Sequence, residues 1–187
     1  CLAIAHNGNL TNAAVLRKSL IERGSIFQSS MDTEVIIHLI ALSQKNTLID
    51  KIVDAISQIE GAYSLVILHK DGIIAIRDPY GVRPLVLGKL GDADVVASET
   101  CAFDIIGAEF VRDIKHGELV IINNSGIKSI EPFKTAPSKF CIFEYIYFAR
   151  PDSVLEGKSV YQMRKNIGIE LAKEIKIVVN ASYEKMR

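Results

Sequence analysis

AYSLVILHKDGIIAIRDPYGVRPLVLG, residues 62–88, decides the architecture. It reads as AYSLVILH, the turn Lys70-Asp71-Gly72, IIAIRD, the turn Asp78-Pro79-Tyr80-Gly81, and PLVLG. Connections this short join antiparallel neighbours, because a parallel crossover needs about a dozen residues or more. The pattern continues across Gly91-Asp92 into DVVAS (94–98). A short helix near 101–106 interrupts it, and ELVIINNSGIKSI (118–130) adds a hairpin across Asn124-Ser125-Gly126. Apolar residues fall on both alternating faces of these strands, so the sheet is expected to be covered on both sides.

What precedes this stretch is helical. LAIAH (2–6) reads as a short buried strand ending in a turn at Asn7-Gly8-Asn9. A helix then starts near Thr11, with Val15, Leu16, Leu20 and Ile21 on one face and Gly24 placed to end it. Ser30 or Asp32 is placed to cap a second helix carrying Val35, Ile36, Leu39 and Ile40. Leu48, Ile49, Ile52, Val53 and Ile56 mark a third. Helices gathered to one side of an antiparallel sheet make an α+β fold. Residues 132–153, with prolines at 132, 137 and 151 around an aromatic-rich stretch, read as a connector. Residues 154–174 carry a helical pattern (Tyr161, Ile167, Leu171), and EIKIVVNASYEKMR ends the chain.

Composition narrows the function. Apolar residues are 49% and charged residues 24%, with 22 Lys+Arg against 22 Asp+Glu. This excludes disorder and gives no field to draw nucleic acid. The longest apolar runs, LVIL (65–68) and LVII (119–122), fall far short of the roughly 20 residues of a membrane span, and no signal-peptide pattern opens the sequence. Cys1, Cys101 and Cys141 are widely spaced with no CxxC, against a disulfide scaffold or a self-contained zinc site. A cytoplasmic protein is expected.

Chemistry concentrates at the front. An Asn side-chain amide and a Gly backbone N–H can together hold the oxyanion formed in acyl transfer, although Asn-Gly is also the commonest hairpin dipeptide. Cys1 invites the role of nucleophile. With residues 2–6 extended at about 3.3 Å each, however, Cys1 and Asn7 lie about 20 Å apart, and a nucleophile and its oxyanion hole must share one reacting atom.

AHNGNLTNA (5–13), SSMDTEV (29–35), IEGAYSLVIL (59–68), RDPYGVRPL (77–85), VASETCAFD (96–104) and EYIYFARPDS (144–153) occur in one order. Together they resemble the amidophosphoribosyltransferase family from residue 2 to about 174. The resemblance implies a four-layer αββα sandwich of antiparallel sheets, as in N-terminal nucleophile hydrolases, here incomplete. It implies residues 1–136 as part of a class II glutamine amidotransferase domain, and 137–187 as a connector and the start of a truncated phosphoribosyltransferase domain. In that family an N-terminal cysteine attacks glutamine, and the released ammonia converts phosphoribosyl pyrophosphate to phosphoribosylamine. Asn7 and Gly8 correspond to the oxyanion hole, and Asp32 to the carboxylate that binds the glutamine α-amino group.

The nucleophile strand, the arginine that grips the glutamine carboxylate and the acidic phosphate-binding loop have no counterpart in these residues. The expectation is a chain inactive by itself, or a non-catalytic glutamine-binding remnant, with exposed sheet edges and a tendency to form homo-oligomers. Cys141 matches a position that, in one branch of the family, supplies a single ligand to a 4Fe-4S cluster. Cluster and Mg would belong to the intact enzyme, with no cofactor in this chain. Cys101 reads as core, and His38, His69 and His116 as structural or solvated. His6 adjoins the oxyanion residues and could orient them. Arg77, Asp78 and Arg83 read as an ion pair or a domain contact around the Pro-Tyr-Gly turn.

Overall fold

The computed structural model describes residues 2–134 and 136–174. Cys1 and all but Glu174 of the C-terminal EIKIVVNASYEKMR therefore lie outside the described residues. Chain contacts divide the protein into two compact units, Cys1–Cys141 and Ile142–Arg187.

In the first unit, β1 (Leu2–Leu10) is followed by α1 (Ala13–Glu22), α2 (Thr33–Leu42) and α3 (Leu48–Ile56). Then come β2 (Gly61–His69), β3 (Gly72–Arg77), β4 (Val86–Leu90), β5 (Ala93–Ala97), α4 (Cys101–Ile106), β6 (Glu109–Asp113), β7 (Leu119–Asn123) and β8 (Gly126–Ile130). Every pairing is antiparallel: five strands in the order β1-β2-β3-β7-β8 form one sheet, and three in the order β5-β4-β6 form another.

The two-residue period of the strands sorts their side chains into two cores. Leu65, Ile67, Ile74, Ile76 and Leu119 face α1–α3, where Leu20, Val35, Ile36, Leu39, Ile52 and Ile56 meet them. The alternate residues Val66, Ile73, Ala75, Val120 and Ile122 meet Leu87 and Val96 of the second sheet and Leu85 just before it. The central strands are thus apolar on both faces because both are covered. The outer face of the second sheet carries α4: Phe103 is 2% exposed and lies where a Cβ on Gly88 would collide with its ring at 2.8 Å. This order is helices, sheet, sheet and one six-residue helix, an αββα arrangement with a rudimentary outer layer.

Buried charge holds the loops rather than the reacting centre. Arg77, 1% exposed, donates to the carbonyls of Arg83, Ile114 and Gly81. The neighbouring Asp78 carboxylate accepts from the amides of Tyr80 and Val82, so the Pro-Tyr-Gly turn is built by side chains bonding to backbone. Glu118 accepts a fork from Arg112 together with the Ser129 hydroxyl and the Lys115 amide. Burial pushes the Glu118 carboxyl up, and these donors more than offset it and hold it below the usual range.

Several expectations change. Asn7-Gly8-Asn9 is not a turn: β1 continues through it to Leu10, paired with Ala62, Tyr63 and Ser64, because nine consecutive partners on β2 outweigh the local turn preference of Asn-Gly. Val15 and Ile21 of α1 are 72% and 53% exposed, so only the face of Ala13, Leu16 and Leu20 packs inward. Strand β6 (EFVRD) pairs with β4 across an irregular register, and its two apolar residues, Phe110 and Val111, are adjacent and exposed rather than alternating.

In the second unit, the expected connector contains a π-helical turn, Glu144–Phe148. Distant residues hold it: the Tyr145 hydroxyl donates to the Leu155 carbonyl at 2.7 Å, and Arg164 donates to the carbonyls of Tyr145 and Ala149. A hairpin of β9 (Val154–Leu155) and β10 (Lys158–Ser159) leads into α5 (Val160–Glu174). The helical pattern expected over 154–174 holds only from Val160, because residues 154–159 pair as this hairpin; Tyr161, Ile167 and Leu171 are exposed and Val160 is the residue the helix buries.

Leu65 is fully buried between the first sheet and the helices. Leu65→Ala is expected to cost about 2–5 kcal/mol, read as a lower urea midpoint at unchanged slope.

Candidate active site

The geometry starts from the register of β1. Thr11 donates its amide to the Glu60 carbonyl at 2.8 Å, and Asp78 donates to Tyr63 at 2.9 Å. Opposed pairs of an antiparallel ladder exchange hydrogen bonds alternately, so the odd residues of β2 bond to β3 and its even residues to β1. Asn7–Ser64 and Asn9–Ala62 are therefore bonded pairs, and the amides of Gly8 and Leu10 point away from β2. β1 is an edge strand, and both N–H groups project from its outer edge.

Asp32 reaches that edge from the segment before α2. Its Oδ2 accepts the Leu10 amide at 2.9 Å. The expected capping role is not observed: Asp32 occupies the N-cap position of α2 in helical geometry without a side-chain cap bond, because the carboxylate is turned toward β1. Burial raises its pKa, and the Leu10 amide, the facing His6 and Thr33 more than offset this, leaving the carboxyl below its ordinary value.

Gly8 makes no hydrogen bond through its amide among the described residues, and its φ is +149°. A Cβ there would sit 2.0 Å from the Ala62 carbonyl oxygen. Glycine is required for strand pairing and leaves the amide accessible at the edge. The Asn7 side chain, half-buried on the opposite face from His6, also makes no hydrogen bond among the described residues. One strand thus offers an unpaired backbone donor and an unpaired amide side by side. Gly8 and Leu10 are two residues apart, about 6.8 Å along the strand, which sets the spacing between the open amide and the amide that binds the carboxylate.

His6 lies behind this edge, on the helix-facing side. Its side chain is 4% exposed, with Nδ1 3.1 Å from Thr33 Oγ1 and 3.5 Å from Asp32 Oδ1. Its buried Nε2 has no partner among the described residues, which costs about 1–3 kcal/mol.

The segment carrying Asp32 is held by Arg17 and Glu34, neither of which the sequence marked as a site residue. Arg17 donates to the carbonyls of Ser29 and Met31 and lies 4.1 Å over the Phe27 ring. The Glu34 carboxylate accepts the amides of Gln28 and Ser29 and the Ser29 hydroxyl. These donors, the Gln28 amide first, bring the Glu34 carboxyl down to about 2. A basic residue in α1 with an acidic one at the start of α2 was the available signal, but nothing local says that both turn onto the loop between them.

The remaining candidates lie elsewhere. Cys101 is buried with its thiol toward Glu99, and Cys141 is half-buried with its amide bonded to the Val82 carbonyl. Among the described residues no three histidines, cysteines or acids converge as metal ligands. A 4Fe-4S cluster takes four thiolates and the chain has three cysteines, so these residues do not assemble one. His38 packs against Phe27 at 4.3 Å, His69 lies 3.3 Å from Asp71, and the His116 ring fills the space that a Cβ on Gly81 would need. No described helix is long and apolar enough to cross a membrane.

The Asn7-Gly8 pair and the Asp32 carboxylate thus share one open strand edge within the αββα sandwich. A family profile, the glutamine amidotransferase domain, matches residues 1–104, and the chain belongs to this family. Among particular relatives it is similar to the amidophosphoribosyltransferases. That of Rhizobium etli is 52% identical over 178 residues, 92% of this chain and 36% of the relative. That of Bacillus subtilis is 50% identical over 173 residues, with the same two coverages. The solved structure of the glutamine phosphoribosylpyrophosphate amidotransferase from B. subtilis, complexed with ADP and GMP, superposes with a TM-score of 0.90 at 49% identity. It is matched over 93% of this chain and 38% of its own. The chain thus spans about 36% of the length of these curated relatives.

Two outcomes are expected. Gly8→Ala, strained by its positive φ and by the Ala62 carbonyl, should destabilise the fold by about 1–3 kcal/mol, read by chemical denaturation. Glu34 has a folded pKa of about 2 against an ordinary 4.5. Its contribution is complete above pH 4.5 and is lost as pH falls from there through about 2. Glu34→Gln should flatten the acid limb of a stability–pH profile in that window.

Proposed function

We propose that the outer edge of β1 is the glutamine site of an amidophosphoribosyltransferase, to which this chain contributes the segment spanning most of the glutamine-hydrolysing half. The observation that carries the reading is the placement, on one strand edge, of the open Gly8 amide and of the Leu10 amide that holds the Asp32 carboxylate at 2.9 Å, the two amides about 6.8 Å apart by strand rise. The span from the amide oxygen of an extended glutamine to its α-nitrogen is about 6 Å from standard bond lengths. One molecule can therefore lie along the edge, with its α-ammonium on Asp32 and its side-chain carbonyl at Gly8 and Asn7.

Attack of a thiolate on that carbonyl moves negative charge onto its oxygen, where the Gly8 N–H and the Asn7 amide receive it. Collapse of the tetrahedral species, with the proton taken from the thiol delivered to the departing nitrogen, expels ammonia and leaves a thioester, which water cleaves to glutamate and the free thiol. Ammonia then displaces pyrophosphate from C1 of phosphoribosyl pyrophosphate, giving phosphoribosylamine. In this reading residues 1–136 belong to the amidotransferase domain, and 137–187 form the connector and the start of the transferase domain. High identity to the relatives over 92% of the chain supports the assignment.

The test is a chimera in which residues 2–174 replace the matching segment of the B. subtilis relative. Glutamine-dependent formation of phosphoribosylamine is expected to persist. Asn7→Ala in the chimera should lower kcat by about 10²–10³, and Asp32→Asn should raise KM for glutamine while ammonia-dependent synthesis continues. Loss of both activities on Asp32→Asn, or no effect of Asn7→Ala, would overturn the reading.

The unprotected edge of β1 also supports self-association of the isolated chain. A concentration-dependent increase in mass by size-exclusion chromatography with light scattering, reduced by Ala5→Lys, is the expected result.

A further inference from the structure

We propose that His6 is a positioning residue that fixes the Asp32 carboxylate at the open edge of β1 through the Thr33 hydroxyl; the role rests on the glutamine reading of that carboxylate. The helix-facing side of β1 is Leu2, Ile4, His6, Gly8 and Leu10, and His6 is its one titratable member. Its side chain is 4% exposed and its Nε2 has no partner among the described residues. An apolar side chain would fill the same space without stranding a nitrogen, so packing does not account for a histidine here. What distinguishes the imidazole is its other nitrogen.

The hydrogen bonds there run in one direction. Thr33 Oγ1 donates its single proton to Asp32 Oδ1 at 3.3 Å, so toward His6 the hydroxyl can only accept. Nδ1, 3.1 Å away, is then the donor, which assigns the neutral ring its Nδ1–H tautomer. The bare Nε2 faces Gly8, 3.0 Å from where a Cβ would stand. Only glycine leaves room for the ring to sit back against β1 while its opposite nitrogen reaches α2.

The carboxylate is thereby gripped from two sides. Oδ2 takes the Leu10 amide at 2.9 Å, and Oδ1 takes the end of the imidazole–hydroxyl relay. α2 supplies no capping bond to hold the side chain. Removing the relay leaves the carboxylate only the Leu10 and Thr33 backbone amides, which loosens both the Leu10 bond and the aim of the carboxylate along the edge. The residues Asp32, Thr33, His6 and Gly8 form one mechanical unit, joining the ammonium end of the site to its oxyanion end.

Amide hydrogen exchange at Leu10 reads this coupling without a ligand, and an NMR titration with L-glutamine reads its consequence. Both use the whole chain. His6→Leu fills the cavity with no donor, and His6→Asn returns an N–H near the place of Nδ1. His6→Leu is expected to speed Leu10 exchange and to weaken glutamine binding, each about ten-fold, with the core amides of α2 unchanged. His6→Asn should restore both. Thr33→Val, which cuts the relay without touching β1, should reproduce His6→Leu.

Leu10 exchange unchanged in both His6→Leu and Thr33→Val, or raised only together with every core amide, would overturn the proposal. Were Leu10 exchange to respond as expected while Asp32→Asn in the chimera left KM for glutamine unchanged, the positioning would stand and the glutamine reading of Asp32 would fall.

Discussion

The nine-residue antiparallel pairing of β1 with β2 is the constraint from which the site follows. Its register makes Asn7 a hydrogen-bonded partner of Ser64, and the trans peptide that joins Asn7 to Gly8 then turns the Gly8 N–H outward. A slip by one residue would exchange the two sets of amides and reverse both faces of the strand. Asn7 would lose the face it now shares with the inter-sheet side, and His6 would leave α2. The glycines at 8 and 61 permit this pairing at close range, since a Cβ at either would strike the backbone of the opposite strand.

Asp32 ties the second element to the first. A carboxylate before a helix ordinarily caps its own helix, which locally satisfies one of four orphan amides. Here it satisfies an orphan of another kind, the outward amide of an edge strand. The exchange joins α2 to β1 two residues along the strand from Gly8. The loop before Asp32 is constrained to match: Arg17 takes its carbonyls and Glu34 takes its amides, so the carboxylate arrives on a segment bonded at both kinds of backbone group. The same economy appears at the Pro-Tyr-Gly turn, where Arg77 and Asp78 divide carbonyls and amides between them.

Much of this was legible in advance wherever a local pattern carries the information. The alternation in residues 62–76 shows strands apolar on both faces, and the structure covers both. α2 and α3 follow their apolar spacing, and Asn7, Gly8 and Asp32 stand out by motif. Local pattern misled where distant partners decide. Asn7-Gly8 has the preference of a turn and the partners of a strand, and β6 pairs without apolar alternation, its Phe110 and Val111 both exposed. The π-helical turn at Glu144–Phe148 is stabilised from Leu155 and Arg164. Val15 and Ile21 are apolar at helical spacing, yet no layer lies opposite them.

By itself the sequence determined the class of fold, the succession of elements and the short list of chemically able residues. These depend on spacing, on turn chemistry and on which side chains can donate, accept or carry charge. Only the tertiary structure decided what those residues do to one another: that the Gly8 amide faces the open edge, that Asp32 leaves its helix for Leu10, and that His6 stands between them. Direction and partnership at an edge come from register, and register is a property of two strands separated by about fifty residues of chain, which no local pattern contains.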